Sequence, residues 1–345
     1  MKTFRLIIHF LFLILASNAF AKNIKLLNWW DYLDASIVEQ EKSEGFNINL
    51  GVYKSNDVAV GKLISNKDQY DVAILSNQVI GALAASNIIL PNNVEDKSKY
   101  YDFLVSNNNL CVPYMWSVTV FATNSNKIDE APKVESISDL LNLKKAGYSI
   151  GVIDDKLEVV ARIFGDISKE CNFSNKADLN KSVINRCWKI LRKKQGKQLV
   201  GSMFVNSVYE ILDKAPSAVY GWHGEIAPAL ASKNRIRLEL PKYLPVLGYD
   251  SVCIINKKRS SKELLEIKRF IKILTDQKSA NIMAKKTQYF SPYKDSSEGL
   301  RPEFKKLLFE TQIEINKMNY QVLSSPSEKE HIILNEFWKA VRYGQ

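Results

Sequence analysis

Short apolar runs alternate with helical patterns through the first third of the chain. Ile24–Leu27, Asn47–Tyr53 and Tyr70–Leu75 read as strands, with helices predicted from Ser36, Asp57 and Gln78. Strand and helix in that rhythm imply a mostly parallel sheet with crossover helices. Asp34 before the first helix and Gly45 after it fit a cap and a stop, and Ser55 opens the second helix. The pattern restarts after Val118–Ala122. Ser136-x-x-Asp139 signals a helix, Tyr148–Ile153 a strand, and amphipathic stretches run over 157–169 and 177–193. Strands at 218–220 and 237–240 flank a helix at 225–231, and Ser251–Ile255 reads as a further strand. Helical patterns at 262–275, 280–286, 303–311 and 329–341 complete the chain. No linker of low complexity separates the two α/β halves, so the chain is expected to cross between them on strands.

The amino terminus changes the picture at one point. Lys2 and Arg5 precede an apolar stretch, Leu6–Leu15, and Ala19-Phe20-Ala21 offers a small-x-small cleavage site. Residues 1–21 thus read as an export signal, with a mature start near Lys22. The apolar run falls short of the roughly 20 residues that span a bilayer. No cysteine lies near the cleavage site to carry a lipid, so an exported soluble protein is expected. The remainder exceeds what one hydrophobic core usually serves, and two lobes are expected.

The formal charge of +11 would suit an anionic partner, but the basic pairs and triplets, such as Arg192-Lys193-Lys194 and Lys257-Lys258-Arg259, are dispersed and lack interleaved aromatics. A solvated surface is the better reading, and no nucleic-acid partner is expected. Four cysteines occur at 111, 171, 187 and 253, and an oxidising compartment permits pairing. Cys171 and Cys187, flanking a short connection, are the first pair to test, with buried free thiols as the alternative. His9 leaves with the signal, and His223 and His331 lack metal-ligand spacing. No Gly-rich phosphate loop and no Gly-x-Ser-x-Gly elbow is present. Neither an enzyme nor a bound cofactor is expected, although a paired-carboxylate hydrolase remains an alternative.

The informative chemistry is acidic residues beside aromatic ones at predicted strand ends. Asn28-Trp29-Trp30-Asp31-Tyr32 follows the first strand and Asp154-Asp155-x-x-Glu158 follows Tyr148–Ile153. Trp222-His223-Gly224-Glu225 follows the 218–220 strand, and Tyr249-Asp250-Ser251 precedes the strand at Val252. In open α/β sheets, ligands gather outside the carboxyl ends of strands. Carboxylates interleaved with flat rings suit a flexible polyamine, whose ammonium groups alternate with methylenes. Each residue also has a plainer reading. A single tryptophan is commonly core, and Asp34, Asp154 or Asp178 alone is commonly a helix cap, which leaves Asp155 and Glu158 as the better ligand contacts.

Taken in order, Asn28-Trp29-x-x-Tyr32, Tyr53-x-Ser55-Asn56, Tyr70-Asp71-x-x-x-x-Ser76, Pro113-Tyr114-x-Trp116, Asp154-Asp155-x-x-Glu158, Trp222-x-Gly224 and Asp250-Ser251 resemble the periplasmic spermidine/putrescine-binding proteins of polyamine ABC transporters. The resemblance implies an α/β type II periplasmic-binding fold, with two lobes joined by crossing strands and a ligand cleft between them. It assigns 22–119 plus 250–297 to one lobe and 120–249 plus 298–345 to the other. It implies Trp29, Asp31, Tyr32 and Ser76 as ligand contacts from the first lobe, with Tyr289 also from that lobe. From the second it implies Asp155 and Glu158 for ammonium groups, Trp222 for stacking, and Glu225 where putrescine-preferring members carry an acid. Asp250 would hold an amine near the hinge, and Gln321 matches a family glutamine across a gap. Trp30, Gln78 and Gly248 depart from the family pattern, with Tyr249 beside the tryptophan position that Gly248 occupies. A monomer in the periplasm, delivering a polyamine to a membrane permease, is the implied role. The alternatives are a sensory subunit for a membrane receptor and a binder of another small solute.

Overall fold

The computed structural model describes residues 21–105, 110–128, 132–167, 186–187, 189–190, 203–205, 216–231, 236–294 and 296–343. The export signal, most of the helix expected over 177–193, Asp178 and Cys171 lie outside the described residues.

In chain order the elements are β1 (Lys22–Trp29), α1 (Ala35–Ser43), β2 (Phe46–Tyr53), α2 (Asn56–Asn66), β3 (Val72–Ser76), α3 (Asn77–Ala85) and β4 (Ile89–Leu90). A short helix α4 (Asp102–Val105) leads into the long strand β5 (Val112–Asn124). Then come α5 (Ile137–Lys145), β6 (Ile150–Ile153), α6 (Lys156–Ile167), β7 (Met203–Val205), β8 (Ala218–Trp222), α7 (His223–Ala231), β9 (Ile236–Glu239) and β10 (Val246–Ile255). The chain ends with α8 (Ser261–Leu274), α9 (Gln277–Thr287), α10 (Pro302–Asn316), β11 (Gln321–Val322) and α11 (Glu328–Tyr343).

The chain divides into two compact units. One gathers the chain through Tyr114 with Asp250–Lys286 and Pro292–Lys294; the other holds Met115–Tyr249, Thr287–Ser291 and the chain from 295 onward. Two of the unit boundaries fall inside β5 and β10, where the chain passes from unit to unit on strands, and the others fall at the end of α9 and in the segment that follows it.

In the first unit β1 pairs in parallel with β2 and β3, and β10 closes on β3 in antiparallel register, with Asp250 opposite Ser76 and Ile254 opposite Val72. The helices start where the sequence places caps. The Asp34 carboxylate accepts from Ser36 N, and the Ser55 hydroxyl from Val58 N. Gly45 follows α1 with φ +90°, a left-handed conformation that glycine adopts without Cβ strain. Leu27, Ala73, Leu75 and Ile255 from the sheet meet Leu63, Ile80 and Leu83 from the helices in one core. A disulfide joins Cys111 to Cys253, 142 residues apart, inside that core. Cys187, one of the pair placed first by sequence, is disulfide-bonded as well, and its expected partner Cys171 lies outside the described residues.

In the second unit β8 pairs in parallel with β6 and antiparallel with β5, and β7 continues the sheet beyond β6. β9 lies antiparallel to β5, and β11 runs beside the start of β10. Phe121, Val152 and Tyr220 from the sheet pack with Leu140, Val160 and Phe337 from α5, α6 and α11. An ion pair sits within this packing: Arg162 Nη2 lies 2.7 Å from Asp166 Oδ1, one turn along α6, with the arginine fully buried. The second Asp166 oxygen accepts from Ile137 N at the start of α5, which ties the two helices together.

Candidate functional site

The acid–aromatic residues form two clusters, one in each unit. In the first, β1 ends at Trp29 and the chain turns sharply. Buried Asn28 shapes the turn, its Nδ2 donating to Tyr32 O at 2.9 Å while its Oδ1 accepts from Trp29 N at 2.8 Å. Asp31 takes φ 56° in that turn and its carboxylate lies exposed, 3.0 Å from Lys286 Nζ. Trp29 leans on Tyr53 with ring centroids 4.4 Å apart and donates its indole N–H to Asp250 Oδ1 at 3.1 Å. The Tyr32 side chain, buried edge-on against Tyr114, hydrogen-bonds Asp250 as well. Burial pushes the Asp250 carboxyl up to about 6, and the Trp29 and Tyr32 hydrogen bonds oppose that shift without cancelling it. Ser76, opposite Asp250 in the sheet, caps α3 by accepting from Gln78 N at 3.3 Å. Gln78 Oε1 accepts from Asn56 Nδ2 at 3.2 Å, a polar pair where the family resemblance places an aromatic ring.

In the second unit β6 delivers Asp154 and Asp155 to the mouth of α6. Asp155 Oδ1 accepts from Glu158 N at 3.0 Å and so does the capping, whereas Asp154 pairs with Arg342 Nη1 at 2.6 Å. The division of labour expected from sequence, with Asp154 as cap and Asp155 free for ligand, is thus reversed as regards the cap. Glu158 is 1% exposed. Its Oε1 accepts the Trp222 indole N–H at 3.0 Å, and its Oε2 is buried without a hydrogen-bond partner among the described residues. Burial, then the neighbouring charge of Asp155, holds its carboxyl well above the usual range, against the pull of the Trp222 hydrogen bond.

Around this pair, Gly224 opens α7 and Tyr289 lies directly over it. A Cβ at Gly224 would fall 2.5 Å from the Tyr289 ring, so only glycine admits that ring here. His223, buried and stacked on Phe290 at 4.0 Å, supports the same turn, and burial lowers its imidazole to about 4. Glu225 is half-buried in the first turn of α7. Gln321 pairs with Val246 at the start of β11, and its Nε2 faces Gly165, seven residues or about two helical turns along α6 from Glu158. Gln321 therefore stands apart from the Glu158–Trp222 pair. Tyr289 groups with the second unit, not with the first lobe to which the resemblance assigns it.

Sequence reasoning left out Tyr220 and Thr119, and marked Gly248 only as a departure from the family pattern. Tyr220 donates its hydroxyl to Thr119 Oγ1 at 2.8 Å, and the period-two alternation of β8 puts it on the Trp222 face. A Cβ on Gly248 would lie 3.6 Å from Glu158 Oε1, so the missing side chain leaves the flank of that carboxylate open. Among the described residues, no group of three His, Cys, Asp or Glu could hold a metal ion, and no helix is long and apolar enough to cross a membrane.

Two α/β units, entered and left repeatedly by one chain and each carrying acid–aromatic groups at strand ends, define a type II periplasmic-binding fold. The chain belongs to the family described as bacterial extracellular solute-binding protein, whose family model matches residues 36–310. Among solved structures it is similar to the spermidine/putrescine ABC transporter substrate-binding protein PotD of Streptococcus pneumoniae, with TM-score 0.74, 18% identity, and coverage of 93% of this chain and 98% of the other. The maltose-maltodextrin binding protein of Alicyclobacillus acidocaldarius matches with TM-score 0.69, 13% identity and coverage of 94% and 96%. At those identities the likeness is one of fold. In sequence, the chain is 31% identical over 147 residues to the spermidine/putrescine-binding periplasmic protein of Salmonella typhimurium, covering 38% of this chain and 40% of the relative. It is 28% identical over 181 residues to the putrescine-binding periplasmic protein PotF of Escherichia coli, covering 46% and 47%. The matched stretches span less than half the length of these curated relatives.

Proposed function

We propose that this protein is a periplasmic solute-binding protein that captures a linear polyamine of the putrescine or spermidine type and delivers it chemically unchanged to the membrane permease of an ABC transporter. The observation that carries this reading is a motif present twice, an enclosed carboxylate braced by a tryptophan indole: Trp29 on Asp250 and Trp222 on Glu158. The indole fixes the acid's orientation and presents an apolar ring beside it. An alkylammonium group asks for both, an anionic acceptor for its N–H bonds and a flat wall for its methylenes. Glu158 Oε2, buried and unserved among the described residues, is an acceptor that an ammonium group would satisfy. Asp155 and Glu225 add negative charge in the second unit. Asp31, Tyr32 and Ser76 line the turn and strand end in the first. Tyr289 and Gln321 complete the proposed set, Gln321 with the weaker support given its place along α6.

Two charge-assisted bonds of roughly 1.5 to 3 kcal/mol and two ring contacts of roughly 0.5 to 2 kcal/mol suffice for about micromolar affinity after association costs. The surplus of surface lysine does not oppose this, because screening over roughly 8 Å at physiological salt leaves only the carboxylates in contact to act on the ligand. Calorimetry of the purified protein against putrescine, cadaverine, spermidine and norspermidine should show about micromolar or tighter binding to at least one. Silence towards all four would overturn the proposal. The double substitution Asp250→Asn with Glu158→Gln should weaken that binding by at least about tenfold.

A further inference from the structure

A concave pocket of about 400 Å³ in the first unit has no part in the reading above. Its lining includes Lys22, Asp71, Lys257, Lys258, Arg259 and Glu263. The sheet register separates it from Asp250. Ile255 N donates to Asp71 O at one end of the β3–β10 pair, while Asp250 faces Ser76 at the other. The five-residue step from Asp71 to Ser76 spans about 16 Å of strand.

Arg259 is the anomaly in this pocket. Its side chain is 6% exposed, and Nε, Nη1 and Nη2 are all buried without a hydrogen-bond partner among the described residues. The neighbouring acids are committed elsewhere. Asp71 Oδ1 lies 2.7 Å from Lys257 Nζ and 3.9 Å from Arg259 Nη2, and Asp71 Oδ2 accepts from Lys25 N at 3.0 Å. Glu263 Oε2 accepts both the Ser260 N–H and hydroxyl in a capping box, and Oε1 faces Lys22 at 3.6 Å. Asp68 also lines the pocket, and its backbone oxygen accepts from Lys257 Nζ at 3.2 Å. A guanidinium taken out of water with its donors unserved is costly, and burial accordingly lowers its affinity for the proton. Arg259 also immediately precedes the Ser260 cap of the 14-residue helix α8, whose first turn presents the positive end of the helix dipole.

We propose that this pocket is a second ligand site that takes a small oxyanion, a phosphate or a carboxylate, with two oxygens on the Arg259 guanidinium. A planar fork of N–H groups matches two such oxygens, and Lys257 and Lys258 supply further positive charge at the rim. The site is independent of polyamine binding, and its test leaves that reading untouched.

Thermal unfolding of the purified protein in inorganic phosphate, acetate and chloride at one ionic strength separates the sources of the oxyanion. The unfolding temperature should rise in phosphate, in acetate or in both, relative to chloride, with half-saturation in about the millimolar range. Arg259→Gln should abolish the increment, and Arg259→Lys should weaken the apparent affinity by about tenfold or more. Equal unfolding temperatures in the three salts, or an increment that survives Arg259→Gln, would overturn the proposal. Should Arg259→Gln fail to fold, the Nε–Hε magnetic resonance signal of Arg259 in the native protein, assigned through Arg259→Lys, must move on addition of phosphate or of acetate. A stationary signal refutes the site.

Discussion

Asp250 carries its strain as a proton affinity. Its carboxyl titrates near about 6 in the folded chain instead of the ordinary 3.8, so the folded state holds its proton more tightly than the unfolded state does. Stability contributed by the protonated form is therefore complete below about pH 4 and is lost as the pH rises through about 6, a change of about 3 kcal/mol. Asp250→Asn removes that loss. The variant should match the parent near about pH 4 and exceed it in denaturant titrations near about pH 7.5, by up to about 3 kcal/mol. Polyamine binding should run the other way, because an ammonium group selects the ionised acid, and Glu158 is shifted in the same direction. Affinity should fall by about tenfold or more between about pH 7.5 and about pH 5 in calorimetric titrations, and a flat profile would remove both acids from the ligand. Trp29, Trp222 and Asp250 stood out in the sequence because acid and ring lie close together at strand ends, and Glu158 because it follows the Asp154-Asp155 pair by one helical turn. The cap was assigned to Asp154 instead of Asp155 there, since either spacing from α6 permits a cap and the choice turns on Arg342, which lies 188 residues from Asp154.

Among the elements, α6 combines an acidic mouth with a buried ion pair. Removing the Asp166 carboxylate strips the buried Arg162 of its anionic partner, leaving it a bond to Leu244 O, and frees Ile137 N at the head of α5. Asp166→Ala should cost about 3–5 kcal/mol in chemical denaturation, whereas replacing both partners by apolar residues of like volume should cost far less. Helix existence was readily legible, and the starts of α1 and α2 follow their Asp34 and Ser55 caps. Strand extent was not. β10 begins at Val246, five residues before the strand read from sequence, because Gly248 and Asp250 interrupt an apolar run whose neighbours are nonetheless buried. β5 is likewise longer at both ends, its Ser117 and Thr119 being polar, buried and hydrogen-bonded to backbone oxygens of β10. Pairing across a sheet decides such positions, and local alternation does not record it.

On the scale of the molecule, two α/β units and the two crossings on β5 and β10 follow from the order of the elements. The Cys111–Cys253 bridge does not. It joins residues 142 apart, and the short connection that singled out Cys171 and Cys187 has no counterpart that would single out Cys111 and Cys253. A loop of that length restricts the unfolded chain severely, so the bridge is worth about 4–5 kcal/mol on the chain-entropy account. Cys111→Ala with Cys253→Ala should lower the denaturation midpoint accordingly, with far-ultraviolet dichroism retained, and an unchanged midpoint would show that the bridge adds nothing. The same bridge governs what a protease can release. Both of its sulfurs belong to the first unit, while residues 115–249 of the second lie on the stretch that it closes. A single nick anywhere in that stretch leaves the fragments fastened together, travelling as one band on a gel without reductant and parting into two once thiol is added.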